Sequence, residues 1–265
     1  MVEKSMESKE RSVPLMSTHT HTDLSLCGRA DATFAGVVET AEELGFHTVV
    51  LTDHVHAPGV TDYPHHLNRL REYQRWRDEL ETKVEIVVGV EFEVAEPGRI
   101  IAPTAFVEIC ECAIVAPNHY HLGWIVMPGG SPAEVAGHEL DQIETILDWP
   151  YAEVVAHPFA GTGLEHSPNE LYEACDKERL RDLFACAKER EIGFEIQPKF
   201  CYNPLRAGRL AEFFQIWLEV GGKVALGSDA HALGSLTQWA EQYEGIVERF
   251  ELSSDDLWQL QKREE

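Results

Sequence analysis

The sequence of 265 residues has few positive charges, no paired cysteine motif and no long apolar run, and each scarcity excludes a class of protein. Lysine and arginine number 22 against 46 aspartates and glutamates, which gives a net charge of −24. A surface this acidic repels nucleic-acid phosphates, so we expect no nucleic-acid partner. None of the six cysteines forms a CxxC pair. A chain of this length needs no disulfide framework, so we expect reduced thiols.

Membrane insertion and secretion also lack support in the sequence. No apolar run approaches the ~20 residues that cross a bilayer, and the first residues, MVEKSMESKERSVP, contain no apolar stretch typical of a secretory signal. We therefore expect a cytoplasmic protein with a flexible segment over residues 1–14. Because no repeat or linker divides the rest, residues 15–265 are predicted to form a single domain. No heptad or apolar stripe indicates an oligomeric state, which stays open.

Short apolar segments alternate with amphipathic helical segments along the chain. The predicted strands cover residues 15–18, 47–52, 83–90, 111–116, 153–156, 193–196 and 223–226. Because these segments are apolar without alternation, we expect them to be buried in a parallel sheet that helices cover on the outside. Seven such units usually close into a barrel, so the sequence predicts an α/β barrel. A last short helix is predicted over residues 255–261.

Histidine is the residue type in excess, with 13 copies. Imidazoles and carboxylates follow nearly every predicted strand, within residues 19–23, 53–56, 91, 119–121, 157, 195–197 and 229–231. In a parallel barrel these positions face one mouth, where unbound polar groups would be costly. Imidazole and carboxylate together suit Zn²⁺, Mn²⁺ or Fe²⁺. Since the set exceeds the ligands of one site, two or three divalent metal ions are predicted.

The segments THTHTDLS, LTDH, GVEF, PNHYH, AHP and GSDAH occur in this order and resemble the motifs of the PHP family, named for polymerase and histidinol phosphatase. The resemblance runs from about Ser17 to His231 and so covers most of the chain. It implies a distorted (β/α)7 barrel with the metal site at the carboxyl ends of the strands. It also implies a metal-dependent phosphoesterase, which would make the chain a hydrolase.

The family's ligand scheme implies specific metal ligands in this chain. The residues matched to the first metal are His19, His21 and Asp229, with Glu91 as a bridge to the second. The residues matched to the second metal are His119 and His157, with the same Glu91. His121 competes with His119 for one position, but the count from the start of the strand favours His119.

A third metal position is implied at His54 and His231. Many relatives supply one more histidine from the loop after the first strand, and this sequence has Cys27 near that place. A thiolate binds Zn²⁺ or Fe²⁺ well, so Cys27 is a candidate ligand. Equally, it is a buried thiol beside a weak or empty third site. Asp53 either orients a ligand histidine or caps a helix.

Hydrolysis of a small phosphomonoester is the reaction that the resemblance favours. We expect a hydroxide bridging two metals to attack phosphorus in line, with Glu91, Asp229 and His231 as the catalytic residues. A third metal or a protonated His231 or His54 would assist the leaving alkoxide. The candidate substrate contacts are Lys199, Arg206 and His121. Histidinol phosphate, a nucleotide and a sugar phosphate are equally compatible substrates.

Two other functional classes remain as alternatives. Amidohydrolases and lactonases also begin with His-x-His after their first strand, and their binuclear members commonly use a carboxylated lysine at the end of the fourth strand. Residues 113–121 contain no lysine, and Glu91 is available as a bridge, which favours the phosphoesterase. A non-catalytic metal-binding domain is the second alternative. Lost ligands would support it, but only Cys27 departs from the pattern.

Overall fold

The computed structural model of the protein describes residues 13–198 and 208–260, where short strands alternate with helices. The strands are β1 (Met16–Thr20), β2 (Thr48–Leu51), β3 (Glu85–Val88), β4 (Val90–Glu96), β5 (Arg99–Ile101), β6 (Ala113–Ala116), β7 (Val154–Val155), β8 (Gly193–Ile196) and β9 (Val224–Leu226). The helices are α1 (Phe34–Leu44), α2 (Tyr63–Glu79), α3 (Thr104–Ile109), α4 (Pro132–Asp148), α5 (Pro168–Ala174), α6 (Lys177–Glu189), α7 (Leu210–Glu219) and α8 (Leu233–Arg249).

Parallel strands supply the frame of a distorted barrel. β1, β2 and β3 form one parallel sheet, whereas β4, β6, β7, β8 and β9 run parallel in a second. Single bridges join the two sheets, between Thr20 and Ala230 and between His54 and Glu91. The structure thus confirms the predicted α/β class with a parallel sheet. Its two sheets meet at these bridges instead of forming one continuous ladder.

The third strand position of the barrel is divided between two strands. β3 pairs with β2, and beyond Gly89 the chain continues as β4, which pairs with β6. A Cβ atom on Gly89 would lie 2.6 Å from the carbonyl oxygen of Cys112, so only glycine permits the close approach at this break. β4 also turns back into the antiparallel β5. This hairpin and α3 were not predicted, because their sequence lacks a long periodic pattern.

Local sequence signals fix the helices that surround the strands. Thr33 caps the first turn of α1 by accepting from the backbone of Gly36, and Gly45 ends the helix in the left-handed conformation. Ser131 and Glu134 form a capping box at the start of α4. The apolar faces of the helices pack on the outside of the strands, in a large buried cluster. This packing leaves the carboxyl ends of the strands open for polar side chains.

The amino end of the barrel is filled by the last described residues. A smaller apolar cluster inside the barrel includes Val50, Ile114, Ala225 and Trp258. The predicted helix over residues 255–261 is wrong: the described chain forms only a 3₁₀ turn, Ser254–Asp256. Its continuation is extended because the backbone N–H of Trp258 donates to the carbonyl of Val224 at 2.9 Å, which adds the segment beside β9.

The structure does not test the predicted domain boundaries, but it does bear on membrane spans. Residues 1–12 lie outside the described ranges, so a flexible segment over residues 1–14 and a single domain over residues 15–265 stay predictions. Among the described helices, none has both the length and the apolar character that a membrane crossing requires.

Candidate metal centre

Most of the polar residues that follow the strands converge at the carboxyl end of the barrel, which we call the mouth. Three carboxylates and the imidazoles of six histidines contact one another there, nearly all of them buried. The members of this mouth cluster are His19, His21, His54, Glu91, Glu93, His119, His157, Asp229 and His231. Eight of the nine were predicted from the residues that follow the expected strands, whereas Glu93 was not; Glu91 and Glu93 both lie within β4.

Glu91 on β4 lies at the centre of the mouth cluster. Its Oε1 is 3.1 Å from His157 Nε2, and its Oε2 is 3.0 Å from His54 Nδ1 and 3.3 Å from His19 Nε2. Burial alone would raise the pKa of Glu91, but the neighbouring imidazoles hold it well below its usual value. Glu91 is therefore a buried carboxylate that reaches several potential metal positions, as expected of a bridging ligand.

The first predicted metal position is assembled from β1 and the residues after β9. His19 Nε2 and His21 Nε2 are 2.9 Å apart, and His21 Nε2 is 3.2 Å from Asp229 Oδ1. His19 is held from behind, because its Nδ1 lies 2.8 Å from Oε1 of Glu195. Burial opposes a charge on His19, but Glu195, Glu91 and Asp229 outweigh it and raise its pKa well above the usual value.

The second predicted position lies on the other side of Glu91. The rings of His119 and His157 have their centroids 5.0 Å apart, and His119 Nε2 is 3.5 Å from Glu91 Oε1. His119 Nδ1 lies 3.2 Å from Oε1 of Glu93, a residue that sequence reasoning missed. Glu93 follows Glu91 at an interval of two on the same strand, so a strand period of two was the signal that could have revealed it.

Three histidines form the third predicted position without Cys27. His21 stacks against His54 and His231, with ring centroids 4.5 Å and 4.2 Å away. Burial lowers the pKa of His54 well below its usual value and, with His21 nearby, lowers that of His231 to about 4. Both shifts favour the neutral form of the imidazole. Among the described residues, the buried Nδ1 of His54 has no hydrogen-bond partner of suitable geometry, as expected of a nitrogen that is available to a metal ion.

Cys27 is exposed and does not join the mouth cluster. Among the residues that the structure describes, it belongs to none of the groups of three that could hold a metal ion. Partial burial of the thiol group, followed by the charges of Glu91 and Asp229, raises its pKa to about 12. The structure thus does not bring Cys27 to the other ligands, and its ligation stays a prediction.

Two candidate ligands have strained backbones. His157 and Asp229 adopt φ angles of 30° and 49°, in the left-handed region that residues other than glycine rarely occupy. Such strain persists only where the surroundings fix the conformation, and it concentrates at functional sites. The strain at both positions is consistent with backbone that is held to aim a side chain into the mouth.

Further polar residues support the mouth cluster from behind. Asp53 accepts hydrogen bonds from the backbone N–H and hydroxyl of Thr22 and from Ser25 Oγ, which lies 3.2 Å from His21 Nδ1. Among the described contacts, it therefore reaches a candidate ligand histidine through Ser25. His56 also supports the mouth cluster, because its Nδ1 lies 2.8 Å from Oε1 of Glu93.

The predicted substrate contacts are less well defined. Lys199 and Arg206 lie outside the described residues. His121 is exposed at the mouth, with its ring centroid 5.5 Å from that of His119. Its contact with a substrate stays a prediction.

The chemistry of the mouth cluster fits divalent metal ions. Every ion pair described for Glu91 and Glu93 is with a histidine, so these buried carboxylates have no lysine or arginine among their described partners. Four overlapping groups each place three ligand atoms within 4.8 Å of one another. Neutral imidazoles and carboxylates around such small spaces are the donor set of zinc and related ions.

Comparison with known proteins agrees with this geometry. The sequence profile of the PHP domain matches residues 17–199. A histidinol phosphate phosphatase from Lactococcus lactis, solved with zinc, L-histidinol and phosphate, superposes with a TM-score of 0.67 at 14% identity, over 92% of this chain and 98% of that one. A proposed histidinol phosphatase from Listeria monocytogenes gives a TM-score of 0.64 at 14% identity, over 86% and 99%.

A more distant fold likeness is to an N-isopropylammelide isopropylaminohydrolase from Burkholderia multivorans, with a TM-score of 0.52 at 12% identity, over 90% of this chain and 69% of that one. No curated protein matches the sequence. The profile match covers more than half of the chain, and it includes the mouth residues from β1 to β8. The chain therefore belongs to the PHP domain family.

Proposed function

We propose that the protein is a metal-dependent phosphoesterase that hydrolyses a small phosphomonoester at the mouth of its barrel. The single observation that carries the proposal is the position of Glu91, buried at the centre of the mouth cluster within 3.0–3.3 Å of three histidines. One carboxylate shared in this way suits adjacent divalent metals. The ligands proposed are His19, His21, His54, Glu91, His119, His157, Asp229 and His231.

The metal ions would supply Lewis acidity, a water of lowered pKa and compensation for charge on the phosphoryl oxygens. The protein's own residues hold those ligands in place. Glu195 fixes His19 through Nδ1, which leaves Nε2 for the mouth, and Glu93 acts in the same way on His119. The depressed pKa values of His54 and His231 favour neutral ligands over proton donors, so we propose ligation as their role.

Zinc and a histidinol-like phosphate are the first choices of metal and substrate to test. The Lactococcus lactis structure contains zinc, L-histidinol and phosphate together, and it shares the fold of this chain. Sequence identity of 14% supports no narrower choice, so nucleotides and sugar phosphates belong in the same panel. The amidohydrolase alternative is less favoured, because residues 113–121 contain no lysine to bridge two metals.

The test is phosphate release from this panel by protein loaded separately with Zn²⁺, Mn²⁺ and Fe²⁺. Glu91→Gln removes the shared carboxylate charge and should abolish turnover, whereas Glu43→Gln, at an exposed position of α1, should leave it unchanged. Amide and lactone substrates form the second arm. Metal-loaded protein that releases no phosphate from any member of the panel would overturn the proposal, and turnover of an amide or lactone would replace it with the alternative.

A further inference from the structure

We propose that Asn118 and Glu139 are positioning residues, which fix the ring of His157 so that Nε2 faces Glu91. The inference rests on the proposed metal centre and goes beyond it, because neither residue belongs to the mouth cluster. Asn118 lies between β6 and His119, and Glu139 lies on α4. Both side chains are fully buried behind the mouth.

Glu139 presents one oxygen to two donors. Its Oε1 accepts a hydrogen bond from Asn118 Nδ2 at 2.9 Å, and it also accepts from the backbone N–H of Phe159. An oxygen of a carboxyl group accepts hydrogen bonds whether or not its other oxygen carries a proton. The side of Asn118 that faces Glu139 must therefore be the amide nitrogen.

The carbonyl of His157 imposes the same orientation on Asn118. Asn118 Nδ2 donates to this carbonyl oxygen at 2.9 Å, so both partners on that side are acceptors. The amide oxygen Oδ1 then points to His157 Nδ1, 2.9 Å away. Because an amide oxygen only accepts, Nδ1 must carry the proton, and Nε2 keeps its lone pair 3.1 Å from Glu91 Oε1.

The same hydrogen bonds hold a strained turn. His157 and Phe159 have φ angles of 30° and 57°, on either side of Pro158. Asn118 holds the carbonyl of the first residue and Glu139 holds the N–H of the second, so the pair restrains both ends of the turn. Relaxation of this turn would move the His157 ring away from Glu91.

A purely structural role does not explain Glu139 well. Its Oε2 is buried without a hydrogen-bond partner among the described residues, an arrangement that lowers stability. An apolar side chain at this position of α4 would fill the space at a smaller cost. The burial of a carboxyl group here is accounted for by its effect on Asn118, and through Asn118 on the tautomer of His157.

The test combines zinc affinity with NMR of the His157 ring. Asn118→Leu should lower the affinity of one Zn²⁺ site by about 10–100-fold, the usual effect of removing the partner of a ligand histidine. It should also abolish the slowly exchanging Nδ1 proton signal that we expect from His157 in both zinc-loaded and metal-free protein. His157→Gln assigns that signal. Asn68→Leu, at an exposed position of α2, should change neither quantity.

A conservative rescue separates positioning from folding. Glu139→Leu removes the oxygen that accepts from Asn118 Nδ2 and from the N–H of Phe159, so it should weaken zinc binding and the Nδ1 signal. Glu139→Gln supplies an amide oxygen that accepts from the same two donors and should recover both quantities. A folded Glu139→Leu protein with wild-type zinc affinity and an unchanged Nδ1 signal would overturn the inference, as would an unchanged signal in Asn118→Leu.

The same measurements distinguish a failure of this inference from a failure of the proposed metal centre. Wild-type protein that binds no zinc refutes the metal centre. The metal-free NMR comparison then still decides whether Asn118 and Glu139 set the tautomer of His157.

Discussion

At the scale of single residues, carboxyl groups in this protein differ by what surrounds them. Glu91 and Glu93 are buried among imidazoles, which hold the pKa of both far below the usual value despite burial. Glu139 is equally buried but has only neutral donors, so burial dominates and raises its pKa to about 7. The same type of side chain is thus held in its ionised form among the imidazoles of the mouth, whereas behind the mouth burial disfavours its charge.

The raised pKa of Glu139 predicts a pH-dependent stability difference. The folded protein binds this proton more tightly than the unfolded chain, whose glutamate has a pKa of 4.5. The stabilisation is therefore complete below pH 4.5 and is lost as the pH rises through about 7. Relative to Glu139→Gln, the wild type should lose about 3 kcal/mol of its free energy of unfolding over this range, from ~1.36 kcal/mol per pKa unit.

Urea unfolding of both proteins between pH 4.5 and 8 checks this prediction. Glu144→Gln, at an exposed side chain of the same helix, serves as the control. A constant difference between wild type and Glu139→Gln across this pH range would show that Glu139 does not change its charge there.

Single residues also show which parts of the site could be predicted from sequence. His19, His54 and Asp229 follow apolar strands directly, so parallel pairing alone brings them to one mouth. Glu195 and Asn118 act through contacts between separate strands. Glu139 comes from a helix, where nothing in the local pattern distinguishes a buried carboxyl group from an exposed one. These three roles depend on tertiary packing and become visible only in the structure.

At the scale of elements, Gly227, which directly follows β9, leaves no space for a side chain next to Glu195 and His19. A Cβ atom on Gly227 would lie 1.8 Å from Glu195 Oε1 and 2.9 Å from His19 Cβ. Gly227→Ala should therefore displace Glu195, remove the acceptor at His19 Nδ1 and lower the affinity of the first metal by about 10–100-fold. Zinc competition against a chelator measures this.

Gly234→Ala on α8 is the matched control, because no described atom outside the neighbouring helix backbone lies within 4 Å of the added methyl group. It should leave zinc affinity unchanged. Zinc affinity in Gly227→Ala equal to that in this control would contradict the role assigned to Glu195.

The parallel sheet could be predicted from the sequence, but two other features of the fold could not. The alternation of apolar strands with helices predicted the parallel sheet, because buried parallel strands need no polar face. The break at Gly89 was not predictable, since it depends on β3 and β4 pairing with different neighbours. The extended segment around Trp258 was not predictable either, because its conformation is set by contact with Val224.

At the scale of the whole molecule, polar side chains of the mouth cluster gather at one end of the barrel, and an indole fills the other end. Trp258 is buried inside the barrel against Gly193, where an added Cβ would come within 3.0 Å of the indole. Trp258→Ala should cost about 3–5 kcal/mol of the free energy of unfolding, as large aromatic truncations in a core do. Denaturant unfolding provides the measurement.

Leu80→Ala, at an exposed position after α2, should change stability little. Because the mouth lies at the opposite end of the strands, the folded Trp258→Ala protein should keep the wild-type metal content. A cost below about 0.5 kcal/mol, typical of a surface substitution, would show that the indole is not part of the core.

The net charge of −24 determines how the whole molecule acts on a charged substrate at long range, and so it bears on the proposed metal centre. A protein this acidic repels a phosphorylated substrate at long range, so attraction must come from a local positive charge. Bound metal ions would supply that charge at the mouth. The account therefore depends most directly on whether the mouth cluster holds metal.

Elemental analysis of protein purified without chelators, beside Glu91→Ala and the exposed control Glu43→Ala, tests this claim most directly. We predict two to three equivalents of divalent metal in the wild type and in the control, with most of it lost in Glu91→Ala. Metal content near zero in the wild type, even after incubation with Zn²⁺, Mn²⁺ and Fe²⁺, would contradict the account.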